Sequence, residues 1–216
     1  MRLTKFAHSC VRLAEDSRAL VVDPGSFLDA AQIADVFQGA DAVLVTHEHG
    51  DHVNVETLRA AATADPRLHV WAPASVATQF ADLGDRIHTV REDESFEAAG
   101  FAIQTFGGQH AVIHPTVAVI PNVAFLIDER VYHPGDSLIV PTMPVETLLV
   151  PIHAPWSKIA EVVDFVVSVR ASNAYQIHDG LLNDAGLQFT EAHVSRIGGQ
   201  HGTQYRHLAA RETVEV

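Results

Sequence analysis

The chain has 216 residues, 47% of them hydrophobic and 19% charged, enough apolar material for a substantial core and with no tract of disorder-like composition. A formal net charge of −13, from 27 acidic and 14 basic residues, repels a phosphate backbone and argues against a nucleic-acid partner. No apolar run approaches the roughly 18 residues of a membrane-spanning helix, and "MRLTKFAHSC" contains no apolar segment of signal-peptide length, which predicts no membrane partner.

The first elements are short strands. "RLTKFA", "CVRLAE" and "RALVVDPG" are apolar or alternating, and the last closes on Pro24-Gly25. A helix is expected over Ala30 to Phe37. "DAVLVT" is a continuous apolar run, as in a strand covered on both faces. Asn54 is a good N-cap for a helix with Val55, Leu58 and Ala62 on one face. "LHVWAP" is a strand. Ser75 is the expected cap of a helix that carries Val76, Phe80 and Leu83 and stops at Gly84. Strands are then predicted over Arg86–Val90, Ser95–Ala98, Phe101–Phe106, Val123–Ile127 and Val131–His133, followed by "ETLLVPI". Ser157 is the expected start of a helix with Ile159, Val162, Val163 and Val166 at helical spacing. "NAYQIH" is a late strand, and Glu191 to Ile197 a late helix ended by Gly198-Gly199.

Strands and helices occur in both halves, with no linker or strict repeat. A single domain over residues 1–216, built as an α/β four-layer αββα sandwich, accounts for the pattern. Cys10 is the only cysteine. It excludes an intrachain disulfide, fits a reducing cytoplasm, and is expected to be a small buried hydrophobe in an early strand. Nothing in the residues signals an oligomeric state.

The chemistry concentrates in "VLVTHEHGDHVN", residues 43–54, where His47, His49, Asp51 and His52 follow a buried strand. Two residues apart in an extended segment, His47 and His49 point the same way. A turn at Gly50 lets Asp51 and His52 reach a neighbouring point, so the stretch can serve two adjacent cations. Imidazoles with a carboxylate suit zinc best, while iron, manganese and nickel also fit. Further ligand-type residues stand where other strands end. His110 sits in "TFGGQHAV", where Gly107 and Gly108 let the backbone bend. Asp136 sits on the Pro-Gly turn of "VYHPGDSL", and His178 ends "AYQIH".

H-x-H-x-D-H, a glycine-flanked His, a Gly-Asp and a His ending a late strand together resemble the metallo-β-lactamase superfamily, over most of the chain from "VVDPG" to "QIHDG". The "VVDPG", "GGQHA" and "PIHAPW" segments are most similar to the branch containing ascorbate-6-phosphate lactonase. The resemblance implies two divalent metal ions, zinc first, with His47, His49 and His110 on one and Asp51, His52 and His178 on the other. It implies that Asp136 bridges them and that Asp23 supports the metal loop from outside the ligand set, orienting an imidazole. Redox relatives with two irons carry Glu at the position of His49, so the resemblance favours hydrolysis. The helical domain of thioester-cleaving relatives and the RNA-gripping arm of tRNA-processing ones have no counterpart here. The implied activity is attack of metal-activated water on an ester, lactone or phosphoester bond of a small-molecule substrate, with Asp51 also a candidate catalytic proton carrier. A phosphodiesterase, or a redox or binding protein on the same fold, is the alternative.

His8 and His153 are candidates for the cleft wall or substrate contact, and Trp156 could wall the pocket. His114 and His133 are weaker candidates. His193, His201 and His207 are expected on the surface, and Lys158 in solvent.

Overall fold

The apolar runs pair into two seven-stranded sheets in the computed structural model, which describes residues 1–216. The first sheet contains β1 (Arg2–Lys5), β2 (Val11–Glu15), β3 (Arg18–Val22), β4 (Ala42–Leu44), β5 (His69–Ala72), β6 (Ile87–Thr89) and, from the far end of the chain, β14 (Thr213–Glu215). Its order is β14-β1-β2-β3-β4-β5-β6. The second contains β7 (Ser95–Ala98), β8 (Phe101–Gly107), β9 (Val123–Ile127), β10 (Val131–His133), β11 (Thr147–Pro151), β12 (Asn173–Ile177) and β13 (Gln204–Arg206), in the order β13-β12-β11-β10-β9-β8-β7. Each sheet is antiparallel in its first half and parallel in its second. The parallel halves need crossovers, which carry α1 (Ala30–Val36), α2 (Val55–Ala64) and α3 (Ala74–Ala77) on the first sheet, and α4 (Ile159–Val169) and α5 (Asp184–Gln200) on the second, where the β10-to-β11 connection alone has no helix.

Three apolar layers separate these four. Leu20, Leu44, Phe125 and Ile177 meet between the sheets. Val21, Val43 and Val70, on the opposite face of the first sheet, pack under Leu58 of α2 and Phe80. Leu126, Leu148 and Val150 do the same under Val162, Val166 and Val194 of α4 and α5. Consecutive residues such as Leu20 and Val21 therefore serve different cores, which is why these strands read as unbroken apolar runs. The expected αββα sandwich is the architecture observed.

Several local expectations are corrected. Pro73, not Ser75, precedes α3, which lasts one turn and continues as a 3-10 segment over Thr78–Arg86. Gly84 does not end that segment but kinks it, at φ +59°. Lys158 occupies the cap position of α4, its N–H donating to Glu161, while Ser157 bonds back to Ala154. α5 begins at Asp184, capped by Asn183, and runs through both glycines to Gln200. Gly198 marks close packing rather than an end: a Cβ there would lie 3.2 Å from Val166 Cγ1 of α4. β13 and β14, three residues each, were too short and too polar to show periodicity. Cys10 is buried as expected, but in the turn before β2, and burial pushes its thiol well above the ordinary range. No helix is long and apolar enough to cross a membrane.

Candidate metal centre

Every candidate lies just beyond the carboxyl end of a strand. His8 follows β1, Asp23 β3, the 47–52 stretch β4, His110 β8, Asp136 β10, His153 β11 and His178 β12. Within each sheet these strands run the same way, so their ends share one rim, where α/β sheets place ligands. Three of these residues hold left-handed backbone without being glycine: His8 (φ +54°), Asp23 (φ +50°) and His178 (φ +59°). Such conformations cost energy and cluster where side chains must be aimed. Gly107 and Gly108, at φ +93° and +117°, make the bend that delivers His110.

All seven sequence-predicted ligands converge. His47, His49, His110 and Asp136 place one ligand atom each within 4.8 Å of one another, and His8, Asp51, His52 and His178 form a second such group. Asp136 touches both groups. Its Oδ2 lies 3.2 Å from His110 Nε2 and 3.2 Å from His178 Nε2, and its Oδ1 3.0 Å from His52 Nε2. Asp51 Oδ2 lies 3.5 Å from His178 Nε2 and 3.1 Å from His8 Nε2.

The outer hydrogen bonds fix which ring nitrogens face inward. His110 Nδ1 donates to Ala111 O at 2.6 Å, and His178 Nδ1 to His153 O at 2.6 Å. His52 Nδ1 donates to Asp23 Oδ2 at 2.6 Å. Thr46 Oγ1 donates to Asp23 Oδ2 and so accepts from His47 Nδ1, at 3.0 Å. In the neutral rings each Nε2 is then a bare lone pair. Three of these lone pairs face carboxylate oxygens at about hydrogen-bond distance, and His110 Nε2, His178 Nε2 and Asp136 Oδ1 are buried without a hydrogen-bond partner. Acceptor facing acceptor is repulsive unless a cation lies between them. Two ligands about 2.1 Å from one tetrahedral ion stand roughly 3.4 Å apart, close to the spacings found. The residues fit a pair of metal ions.

Without metal, protons take over that task. Burial disfavours a charged His178, but hydrogen bonds to Asp136 and Asp51 outweigh it and push the ring up to about 9. His52 behaves alike: burial opposes, the Asp136 and Asp23 carboxylates outweigh it, and its pKa stands well above the ordinary value. Burial would raise Asp136 and Asp51, yet the surrounding imidazoles hold both below the usual carboxylate range. Burial keeps His47, His49 and His8 below the ordinary value.

His8 sits in the cleft but is not built as a ligand. Its Nδ1 accepts from the Gly180 N–H at 3.1 Å, so the neutral ring carries its proton on Nε2 and donates to Asp51 Oδ2. It stacks on Phe27, 4.4 Å between centroids. The turn beyond it is fastened by buried Lys5, which pairs with Asp179 at 3.3 Å. His153 contributes its backbone carbonyl, and its ring makes no hydrogen bond to the cluster. Buried His133 lies behind Asp23, bonded to Ser9 O. His114 is exposed and bonds Thr116. His201 and His207 are on the surface as expected, whereas His193 is half-buried. Lys158 is solvated, beside Glu161. Sequence reasoning missed two partners. Thr46 was hidden inside an apolar run, its one signal being its place directly before His47. Trp156 was noted only as a wall, yet its Nε1–H donates to Asp136 Oδ2 at 2.9 Å.

A family model described as a beta-lactamase superfamily domain matches residues 2–178, ending on the last candidate ligand. The chain belongs to that superfamily. Protein Rv0786c of Mycobacterium tuberculosis is 35% identical to this superfamily member over 187 residues, covering 84% of this chain and 85% of its own. A UPF0173 metal-dependent hydrolase of Anoxybacillus flavithermus is 29% identical over 66% of each chain. Among solved structures, Igni18, a metallo hydrolase of Ignicoccus hospitalis, covers 99% of this chain and 97% of its own, with TM-score 0.72 and 18% identity. CmlA, a diiron β-hydroxylase of Streptomyces venezuelae, covers 100% of this chain and 54% of its own, with TM-score 0.76 and 19% identity. At such identities the likeness is one of fold, and the fold hosts different chemistries.

Two predictions concern how this superfamily domain holds its rim together. Thr46→Val keeps the side-chain shape but leaves the His47 Nδ1–H and one Asp23 contact without a partner. Metal affinity should fall about 10–100-fold, the usual loss for such outer partners, as read by chelator competition. Gly25 abuts the metal loop so closely that a Cβ would lie 1.8 Å from Asp51 O. Gly25→Ala should displace Asp51 and lower the metal affinity of the cluster, read by the same chelator competition.

Proposed function

We propose that this chain is a metal-dependent hydrolase with a dinuclear centre, zinc being the favoured metal. His47, His49 and His110 would hold one ion and Asp51, His52 and His178 the other, with Asp136 within reach of both. The observation that carries this reading is the pair of inward Nε2 atoms of His110 and His178, buried and without a hydrogen-bond partner, facing Asp136. When bound, such ions lower the pKa of water from about 15.7 toward about 7 and stabilise negative charge developing on a substrate oxygen.

The chain's own residues do the rest. Asp23, Thr46, Ala111 O and His153 O fix the tautomers and ring directions of the four anchored histidines. Trp156 orients Asp136, and His8 orients Asp51 through Oδ2. Asp51 Oδ1 makes no hydrogen bond within the chain and is the atom assigned to take up a proton and pass it to the leaving group. Pro155, Trp156, Ile113 and Leu181 wall the cleft and limit water.

Hydrolysis is supported by the name of the Anoxybacillus relative and by His49 standing where redox relatives carry Glu. The bond attacked is an ester, lactone or phosphoester of a small substrate, the first two favoured by resemblance to the ascorbate-6-phosphate lactonase branch. The acidic chain argues against nucleic acid, and the lone cysteine suits a reducing cytoplasm. Zinc-loaded protein should turn over simple lactones or p-nitrophenyl esters. Turnover of bis-p-nitrophenyl phosphate alone would make it a phosphodiesterase instead, and turnover of none would defeat the hydrolase reading.

A further inference from the structure

The connection from β8 to β9, residues 108–122, is long for a loop inside a compact sheet, and long loops of this kind are commonly functional. Its stretch "QHAVIHPTVAVIPN" contains no acidic residue, lysine or arginine, in a chain of net charge −13. The bond from the His110 N–H to Ile120 O, 2.9 Å, closes the loop at its base. The Ala111 N–H donates to Asp136 O at 2.8 Å and fastens the loop to the turn of the central carboxylate. The contacts that seat His110 therefore also shape the loop. Out of it project Ile113, Val117 and Val119, each between 43% and 47% exposed.

What they surround adjoins the metal centre. A cavity of about 170 Å³ is lined by Ala111, Ile113, Val117, Ala118, Val119 and Ile120, together with His49 and His110. The cleft over the candidate ligands, about 120 Å³, shares His49, His110 and Ile113 with it. Neither cavity has a lysine or arginine in its lining. Nothing there would neutralise a phosphate or carboxylate distant from the metals, whereas every other wall residue of the side cavity is aliphatic. At roughly 30 Å³ for a water-sized group, the side cavity has room for about five or six carbons.

We propose that this side cavity binds the aliphatic chain of the substrate, which makes the substrate a neutral ester or lactone with a short to medium acyl group. The inference rests on the hydrolase reading for the bond that is cut, but not for the cavity that holds the chain. An anionic sugar phosphate of the kind implied by the lactonase resemblance would find no cationic partner in these walls.

The test uses the full zinc-loaded chain with p-nitrophenyl acetate, butyrate, hexanoate and decanoate, and with bis-p-nitrophenyl phosphate. Each buried methylene should raise kcat/KM about fourfold until the cavity is full, near six carbons. Val119→Asp places a charge in the wall and should abolish that gradient while two metals per chain are retained. Val117→Phe fills the cavity and should move the optimum to shorter chains. Binding is read separately from turnover by titrating methyl ketones, 2-pentanone to 2-octanone, against tryptophan fluorescence, with the same gradient expected. Ketones bound without a gradient, esters cleaved without one, a gradient untouched by both variants, or a preference for the phosphodiester would each overturn the proposal. A ketone gradient lost in Val119→Asp, in a protein that cleaves no ester, lactone or phosphodiester, would uphold the cavity and sink the hydrolase reading.

Discussion

Replacing Asp136 by Ala is expected to reduce bound metal from about two ions per chain to one or fewer, and hydrolysis by about a thousandfold or more. The size follows from position. Partners outside a ligand set usually cost 10–100-fold, and Asp136 is the one carboxylate that reaches His52, His110 and His178 together. Its loss also strands the Trp156 indole N–H, which has no other acceptor. Asp136→Asn separates shape from charge. It retains an oxygen for Trp156 but brings no negative charge between the imidazoles, and should lose metal nearly as fully. Elemental analysis beside ester turnover reads both variants. If Asp136→Ala kept two ions and full turnover, the assignment of the shared ligand would be wrong.

Metal uptake should release protons, and the metal-free and metal-loaded proteins should respond to pH in opposite directions. In the metal-free chain the His178 ring is held up to about 9, against an ordinary value of 6.5. A pKa raised by folding contributes stability that is complete below the unfolded value and fades as pH rises through the folded one. Metal-free protein should therefore lose stability between about pH 6.5 and 9, by about 3 kcal/mol from His178 alone. His52 is shifted the same way and adds to the loss. Asp51 and Asp136 are shifted down, so their contribution appears above about pH 4 and disappears on acidification. Metal needs the same two rings deprotonated, so binding at pH 7 should release about two protons per chain, and affinity should rise steeply up to about pH 9. A pH-indicator dye during zinc titration counts the protons, and thermal melts with and without metal follow the crossing trends. Uptake without proton release would mean that the protons of His52 and His178 are not displaced by the ion.

The sequence made the layers and most of the rim legible, for physical reasons that differ. Strands buried on both faces, such as "DAVLVT" and "NAYQIH", declare themselves as unbroken apolar runs, and their ends point to the site. The 47–52 stretch is conspicuous because four polar groups crowd against one such run. His110, Asp136 and His178 each stand directly after a strand or its turn, so one rule found all three, whereas Asp23 came from the family resemblance. Less legible was whatever depends on the meeting of distant segments. The Gly180 N–H that fixes the His8 tautomer is 172 positions away, and the His153 carbonyl under His178 is a backbone group with no signature of residue type. Gly198 looked like a helix end because the Val166 side chain that demands it lies on another helix. β13 and β14 gain their strand character from neighbours already in place rather than from their own three residues.

The most direct test of the dinuclear centre is elemental analysis of the unaltered chain, purified without chelator and again after dialysis against zinc. The expected result is close to two ions per chain, removed by a strong chelator and restored together with hydrolysis on return of metal. A chain that carries none, takes up none from zinc, and keeps its thermal stability unchanged in the presence of the ion would contradict the account.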